Sequence, residues 1–282
     1  MIAKRIPTIL PNLSFEEALE ITKIHSIAGM LKKDIPIVIN RPFRAPHHTI
    51  SPKSLIGGGL IPKPGEISLS HYGVLFLDEL TEFNRSTLEV LRGPIEDGVV
   101  TISRVNSSFT YPCKFMFAAS MNPCPCGYYG AKEKECTCTE QMISKYIGKI
   151  SGPLLDRIDI QVEVSEVKYQ KLENSSNIES SKKIKERVNN AREIQRTRYK
   201  EDKIFSNSEL TPQLIEKYCK IDNESKKILQ MAFEKLGLSA RAYGRILKVA
   251  RTIADLENCE NIRKRHIAEA IQYRSLDKKY KL

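Results

Sequence analysis

An α/β part followed by an all-α part is the fold class that the 282 residues predict. Three observations predict it. Short apolar runs of strand length, Val74 to Asp78 and Phe115 to Ala119, alternate with helical and loop segments up to about residue 165. Beyond about residue 180, apolar residues recur at helical spacing. A polar stretch rich in Ser, Asn and Lys, residues 166–182, separates the two. The expected division is an α/β core over 1–165, and a linker with a small helical domain over 166–282.

Each element has a local reason. Ser14 and Glu17 form a capping box, so residues 14–25 are a helix, with Phe15, Ala18, Leu19, Thr22 and Ile24 near one face. Ile35 to Ile39 is expected to be a short buried strand. Residues 41–65 hold five Pro and four Gly, which suits a long irregular insertion. Val74 to Asp78 is an apolar run that ends in acids, a buried strand. Asn84 caps a helix that begins near Ser86. Val99 to Val105 and Ser108 to Tyr111 flank Asn106-Ser107 as a hairpin. Phe115 to Ala119 reads as another buried strand, and Ile158 to Val164 alternates as a final one. In the second part, Ile184, Val188, Ala191 and Ile194 mark one helix. Ala242, Ile246, Val249, Ile253 and Leu256 mark another.

Composition bounds the class. Apolar residues are 41%, charged residues 28% and mean hydropathy −0.35, ordinary for a globular chain. No apolar run approaches the roughly 18 residues of a membrane span. The N-terminus lacks a secretory pattern, so membrane and secreted classes are disfavoured and a cytoplasmic location is expected. The net charge of +11 is uneven. Residues 1–165 carry 18 Lys/Arg against 17 Asp/Glu, and residues 166–282 carry 27 against 17, giving +1 and +10. The basic second part suits a polyanion such as nucleic acid or nucleotide phosphate, or simply solvated helix faces. Arg263-Lys264-Arg265 and the run from Arg192 to Lys203 are the residues that would meet phosphates.

Gly73-Val74-Leu75-Phe76-Leu77-Asp78-Glu79 carries the most chemistry. A hard carboxylate at a strand end can hold Mg²⁺, and a second can activate an attacking water. The bland alternative is a strand ending in an acidic turn. Asn122, after the second apolar run, could hold that water. Arg157 could act as an arginine finger, or pair with Asp156 or Asp159. Arg241 opens an amphipathic helix.

Four of the seven cysteines, Cys124, Cys126, Cys136 and Cys138, fall within fifteen positions. With no export signal, a structural Zn²⁺ held by four thiolates is a better reading than disulfides; the alternative is four reduced thiols. Cys113 is a possible substitute ligand. Cys219 and Cys259 read as packing residues in helices, and His47-His48 as hydrogen-bonded loop residues.

The order of these strings resembles the AAA+ ATPases, specifically the magnesium-chelatase-related branch of the ComM/YifB type. The carriers are Arg41 to Thr49, Gly65 to His71, the strand ending in Asp78-Glu79, Met121 to Gly127, Leu154 to Asp159, and Leu238 to Arg251. The resemblance implies an AAA+ sheet sandwiched by helices, then a small helical lid. It implies that Asp78 and Glu79 are the Walker B pair, Asn122 sensor 1, Arg157 an arginine finger acting in trans, and Arg241 sensor 2. Residues 99–112 and 41–60 would face the pore of a ring. ATP and Mg²⁺ are the implied cofactors, and a homo-oligomeric ring, a hexamer, the implied assembly. For the competence type the implied work is ATP-driven DNA branch migration. Nothing suggests a porphyrin site.

One departure stands out. The family's phosphate loop, G-x-x-x-x-G-K-[ST], does not occur in the chain. Gly57-Gly58-Gly59 lacks the Lys-Ser/Thr, and Gly148-Lys149 lacks the upstream Gly. The expectation is a chain that starts just after that loop and lacks the strand leading into it, with impaired or absent ATP hydrolysis by itself. The alternative function is a non-catalytic, zinc-stabilised subunit that binds nucleic acid or protein.

Overall fold

The computed structural model describes residues 2–31, 36–59, 61–104, 107–131, 134–164 and 179–274. The chain forms two compact units, Met1–Arg157 and Ile158–Leu282.

The first unit opens with helices α1 (Ile6–Ile9) and α2 (Phe15–Ile27). The capping box of α2 is complete. Ser14 N–H donates to Glu17 Oε2 at 2.9 Å, and Glu17 N–H to Ser14 Oγ at 3.2 Å. Its inner face is Ala18, Ile21, Thr22 and Ile24, whereas Phe15 is 69% exposed. The Pro- and Gly-rich stretch is more regular than its composition suggests. It holds β1 (Phe43–Arg44), α3 (Pro52–Ile56), and the small ribbon of β2 (Gly57–Gly58) with β3 (Lys63–Pro64). After α4 (Glu66–Leu69) comes β4 (Val74–Leu77), then α5 (Arg85–Glu89) and α6 (Arg92–Asp97). Asn84 stands at the cap position of α5 without a side-chain cap bond. β5 (Val99–Arg104) and β6 (Ser107–Pro112) form the expected antiparallel hairpin, with Val99 opposite Pro112 and Arg104 opposite Ser107. Residues 105 and 106 at its tip lie outside the described residues. β7 (Met116–Ala119), α7 (Glu140–Ile147) and α8 (Gly152–Leu155) complete the unit.

The sheet that organises the site has the order β1-β4-β7, all parallel. β4 is central, and Val74, Leu75 and Leu77 are fully buried. Leu75 and Leu77 pack with Leu55, Ile67, Leu88 and Leu154 into the core. Burying each such side chain stabilises by about 1.5–3 kcal/mol. β7 departs from the expectation of a buried strand: its four residues are exposed or half-buried, with Met116 at 45%. Among the described residues it pairs with β4 alone, so it is an edge strand.

Two expected strands are absent. Ile35 lies outside the described residues, and Pro36 to Ile39 form no strand. Pro36 has no N–H to give, and Val38 N–H donates to Thr22 Oγ1 at 2.9 Å instead of to a ladder. Ile158 to Val164 also form no strand. Ile160, Val162 and Val164 are 51%, 62% and 80% exposed. Alternation makes a strand only where a second chain segment accepts the ladder bonds. Most of the linker, residues 165–178, lies outside the described residues.

The second unit is helical: α9 (Ser181–Arg198), α10 (Pro212–Tyr218), α11 (Asn223–Leu236), α12 (Ala240–Leu256) and α13 (Lys264–Gln272). Asp222 caps α11 through Ser225 N–H at 2.7 Å. Tyr199, Ile246, Ala250 and Ile267 centre its core. Of the α9 stripe only Ala191 is fully buried, and Leu256 of α12 is 41% exposed. The unit also buries charge. Asp255 accepts from Arg198 Nη1 at 3.0 Å, Arg251 Nε at 3.1 Å and Asn207 Nδ2 at 2.9 Å. The mixed α/β architecture with a small parallel sheet, followed by helices, agrees with an AAA+-like domain and a helical C-terminal domain.

Candidate functional site

β4 and β7 are neighbours in register, with Leu77 opposite Ala119. Their C-terminal ends therefore deliver Asp78-Glu79 and Ser120 to one edge of the sheet. Ser120 ties the two ends together. Its hydroxyl donates to Asp78 Oδ1, it receives Glu79 N–H at 3.4 Å, and its carbonyl receives Leu80 N–H at 2.8 Å. Glu79 sits in the left-handed region at φ 53°, ψ 55°. A non-glycine residue there costs on the order of 1 kcal/mol or more and is held by its surroundings. The turn leaves both carboxylates exposed beyond the strand.

Glu79 and Asn122 line one open cavity of about 490 Å³, together with Glu82 and Pro125. The opposite wall is α7 and its end: Met142, Lys145, Tyr146 and Lys149. Lys149 Nζ lies 4.0 Å from Glu82 Oε1, so the cavity mixes carboxylates and ammonium groups. Burial pushes the Tyr146 phenol above its ordinary range. Sequence reasoning missed Ser120, Lys145 and Lys149. A lysine on amphipathic α7 and another just past its end were the available signal, and it is a common one.

The structure brings Glu79 and Asn122 to one cavity, and Asp78 is tied to Ser120 at the same sheet edge. Arg157 lies apart, just past α8 in the same unit. Its guanidinium pairs with Glu96 and donates to Pro153 O at 2.7 Å, and its side chain is 10% exposed. The partner is thus Glu96, not the Asp156 or Asp159 that the sequence suggested. Asp159 instead accepts from Arg245 Nη1 at 2.7 Å. Arg241 is exposed near the start of α12, in the second unit.

The four clustered cysteines converge. Their sulfur atoms all lie within 4.8 Å of one another. Cys124 Sγ is 3.4 Å from Cys126 and 3.7 Å from Cys136, and Cys126 and Cys136 are 3.6 Å apart. A disulfide needs about 2.05 Å. A zinc tetrahedron with Zn–S of about 2.3 Å has edges of about 3.8 Å. The donor set therefore fits a four-thiolate metal centre. Tyr128 N–H draws Cys126 down to about 6, helped by the Cys124 thiol. Cys136 is pushed up to about 12: Cys138 N–H favours its thiolate, but burial and the thiols of Cys126 and Cys124 outweigh it. Without a cation such a set cannot ionise together. Cys113 is not a member; it is buried, its Sγ faces Pro94 O at 3.7 Å, and burial pushes it to about 12.

Glu257, Cys259 and His266 form a second cluster. Here Arg263 N–H donates to His266 Nδ1 at 3.0 Å, and His266 Nε2 lies 3.1 Å from Glu257 Oε2 and 3.3 Å from Arg265 Nε. Arg265 also pairs with Glu257, so hydrogen bonds and an ion pair join the members of this cluster. Cys259 lies beyond the end of α12 and is half-buried, not packed inside a helix. His47 and His48 lie with tilted rings 4.0 Å apart between centres, and His47 Nδ1 is 3.0 Å from Thr49 Oγ1, as loop residues do.

Residues 1–172 match the family model described as magnesium chelatase, subunit ChlI, and residues 178–274 match its C-terminal counterpart. The chain is 44% identical over 281 residues to "Uncharacterized protein YifB" of Salmonella typhimurium, covering 99% of this chain and 54% of that protein. It is 43% identical over 279 residues to "Competence protein ComM" of Haemophilus influenzae, covering 98% and 53%. "Uncharacterized protein Mb2921c" of Mycobacterium bovis is 37% identical over 275 residues, covering 97% and 54%. The chain spans about half the length of the curated relatives it matches.

Proposed function

Because this chain belongs to the magnesium chelatase subunit ChlI family, in its ComM/YifB-like branch, we propose that it is the Walker B and lid portion of an AAA+ ATPase that remodels DNA as an oligomeric ring. The observation that carries this is the junction of Asp78, Glu79 and Asn122 at the ends of two adjacent parallel strands, with Ser120 as the tie. Asp78 would hold Mg²⁺, which uses one or two protein carboxylates and completes its shell with water and substrate phosphates. The exposed oxygen donors fit such an ion. Bound Mg²⁺ and ATP supply the transferable phosphoryl group and neutralise its charge. Glu79 orients and deprotonates the attacking water, and Asn122 holds that water against it. Arg157, once released from Glu96, serves a neighbour's phosphate, and Arg241 acts as sensor 2 from the helical unit. No G-x-x-x-x-G-K-[ST] cradle stands among the 282 residues, so turnover by this chain alone is expected to be weak. The four thiolates hold zinc in a closed, structural site.

The test is Mg²⁺-dependent ATP binding and turnover by the chain and by Glu79→Gln. The variant should keep whatever nucleotide binding the parent has and lose turnover by about 10²–10⁴-fold. Measurable turnover in the parent that Glu79→Gln leaves equal would remove Glu79 from its role. DNA affinity, followed by fluorescence anisotropy, should fall linearly in log–log form with salt and show little sequence preference. A salt-independent affinity would count against the basic second part as the contact. A second reading, a zinc-stabilised binding subunit without turnover, is favoured by the hold of Glu96 on Arg157. It predicts DNA or protein binding that Glu79→Gln and nucleotide leave unchanged.

A further inference from the structure

We propose that the metal at Cys124, Cys126, Cys136 and Cys138 is a clamp that sets the width of the Asn122 cavity. This deepens the reading above and rests on the four thiols being a zinc site. The two walls of the cavity are joined by the Cys loop. Asn122 and Pro125 come from its start, Lys145 and Tyr146 from the helix that follows it, and Lys149 from the turn just beyond that helix. The first ligand, Cys124, lies two residues after Asn122. The last, Cys138, directly precedes Thr139, whose hydroxyl caps α7 through Met142 N–H at 3.3 Å.

Between β7 and α7 the described residues form no helix or strand. Short turns shape the loop, with Gly127 N–H on Cys124 O at 3.0 Å and Gly127 at φ 84°. Tyr129 N–H donates to Cys124 Sγ at 3.3 Å, the kind of backbone contact that steadies a thiolate ligand. Cys124 itself has no exposed surface. A tetrahedral ion therefore fastens the roots of both walls to one buried point. Without it, Asn122 is held at its distance from α7 by weaker contacts, among them the turn hydrogen bonds and the exposed contact of Lys134 Nζ with Tyr128 Oη at 3.2 Å. The metal does no chemistry here; four thiolates leave it no open position. It acts on the reaction through the placement of Asn122, of Lys145 on α7 and of Lys149 just beyond it.

The experiment combines metal analysis with amide hydrogen exchange on the full chain, purified reduced and without chelator. One zinc per chain is expected, lost in Cys136→Ser and kept in Cys136→His, since imidazole is a zinc ligand. Stripping the zinc should speed exchange at least tenfold in peptides covering 120–131 and 140–149, and leave the β5–β6 hairpin and the helical unit unchanged. Zinc should restore the protection, and Cys136→His should retain it. Absence of zinc would overturn the metal reading and the clamp together. One bound zinc whose removal leaves 140–149 protected would keep the metal site and overturn the clamp. Faster exchange across the whole first unit would also overturn it, making the ion a general stabiliser.

Discussion

His71 shows how one residue joins three segments. It is 1% exposed, its Nε2 lies 3.0 Å from Glu20 Oε2, and its Nδ1 receives Lys114 N–H at 3.0 Å. That pair of contacts suits the neutral ring with its proton on Nε2. Burial depresses its pKa below 6.5, and the hydrogen bond to Glu20 opposes this only in part. The unfolded chain then binds more protons than the fold as pH falls through the unfolded value. The stability it contributes is present above about pH 6.5 and is lost on acidification. Urea midpoints at pH 7.5 and 5.5 should therefore converge in His71→Gln relative to the parent. An equal drop in both proteins would show that His71 is not the source. Glu79 is the functional counterpart at this scale. Its left-handed backbone aims a carboxylate that an extended strand would have carried onward.

At the scale of elements, β4 lies close against the chain entering β1. Val74 N–H donates to Pro42 O at 2.8 Å, and a Cβ on Gly73 would sit 2.1 Å from that same oxygen. The atoms it would meet are the carbonyl and ring of Pro42, which are not the end of a flexible side chain. Gly73→Ala should therefore destabilise the first unit by about 2 kcal/mol or more and disturb the Asp78-Glu79 turn. Thermal unfolding of that unit is the measure, and an unchanged midpoint would contradict the packing described. The same scale explains the strands that did not form. Val38 and the 158–164 segment have the pattern of strands but give their backbone bonds elsewhere: Val38 N–H to Thr22 and Gln161 N–H to Tyr273 O. Cys spacing, by contrast, was sufficient, because C-x-C pairs on short turns bring sulfur atoms together locally.

At the scale of the molecule, two units carry two separate cores. The helical unit depends on a buried charge network in which Asp255 is shared by Arg198 and Arg251. Asp255→Ala removes the shared carboxylate of two guanidinium groups, of which Arg251 keeps the carbonyls of Cys259 and Glu260, and should cost that unit about 3 kcal/mol. Calorimetry should then show the transition of the helical unit shifted down and that of the first unit in place. A single transition that moves as a whole would show the two to unfold as one. No helix among the described residues is long and apolar enough to cross a membrane.

The sequence by itself determined whatever depends on near neighbours. The Ser14–Glu17 cap, the apolar run ending in Asp78-Glu79, the β5–β6 hairpin and the grouping of four cysteines all follow from contacts a few residues apart or from strict spacing. The change from α/β to helical character was legible for the same reason. Tertiary structure alone decided which residues share the site. Ser120 reaches Asp78 across 42 positions, and Glu96 claims Arg157 across 61. Lys145 and Lys149 join Glu79 only because α7 folds back over the strand ends. Local periodicity says that a strand can form, but a ladder partner, a cavity wall or an ion-pair partner is chosen by packing among distant segments. That is why β7 became an exposed edge and Ile158 to Val164 remained without a ladder.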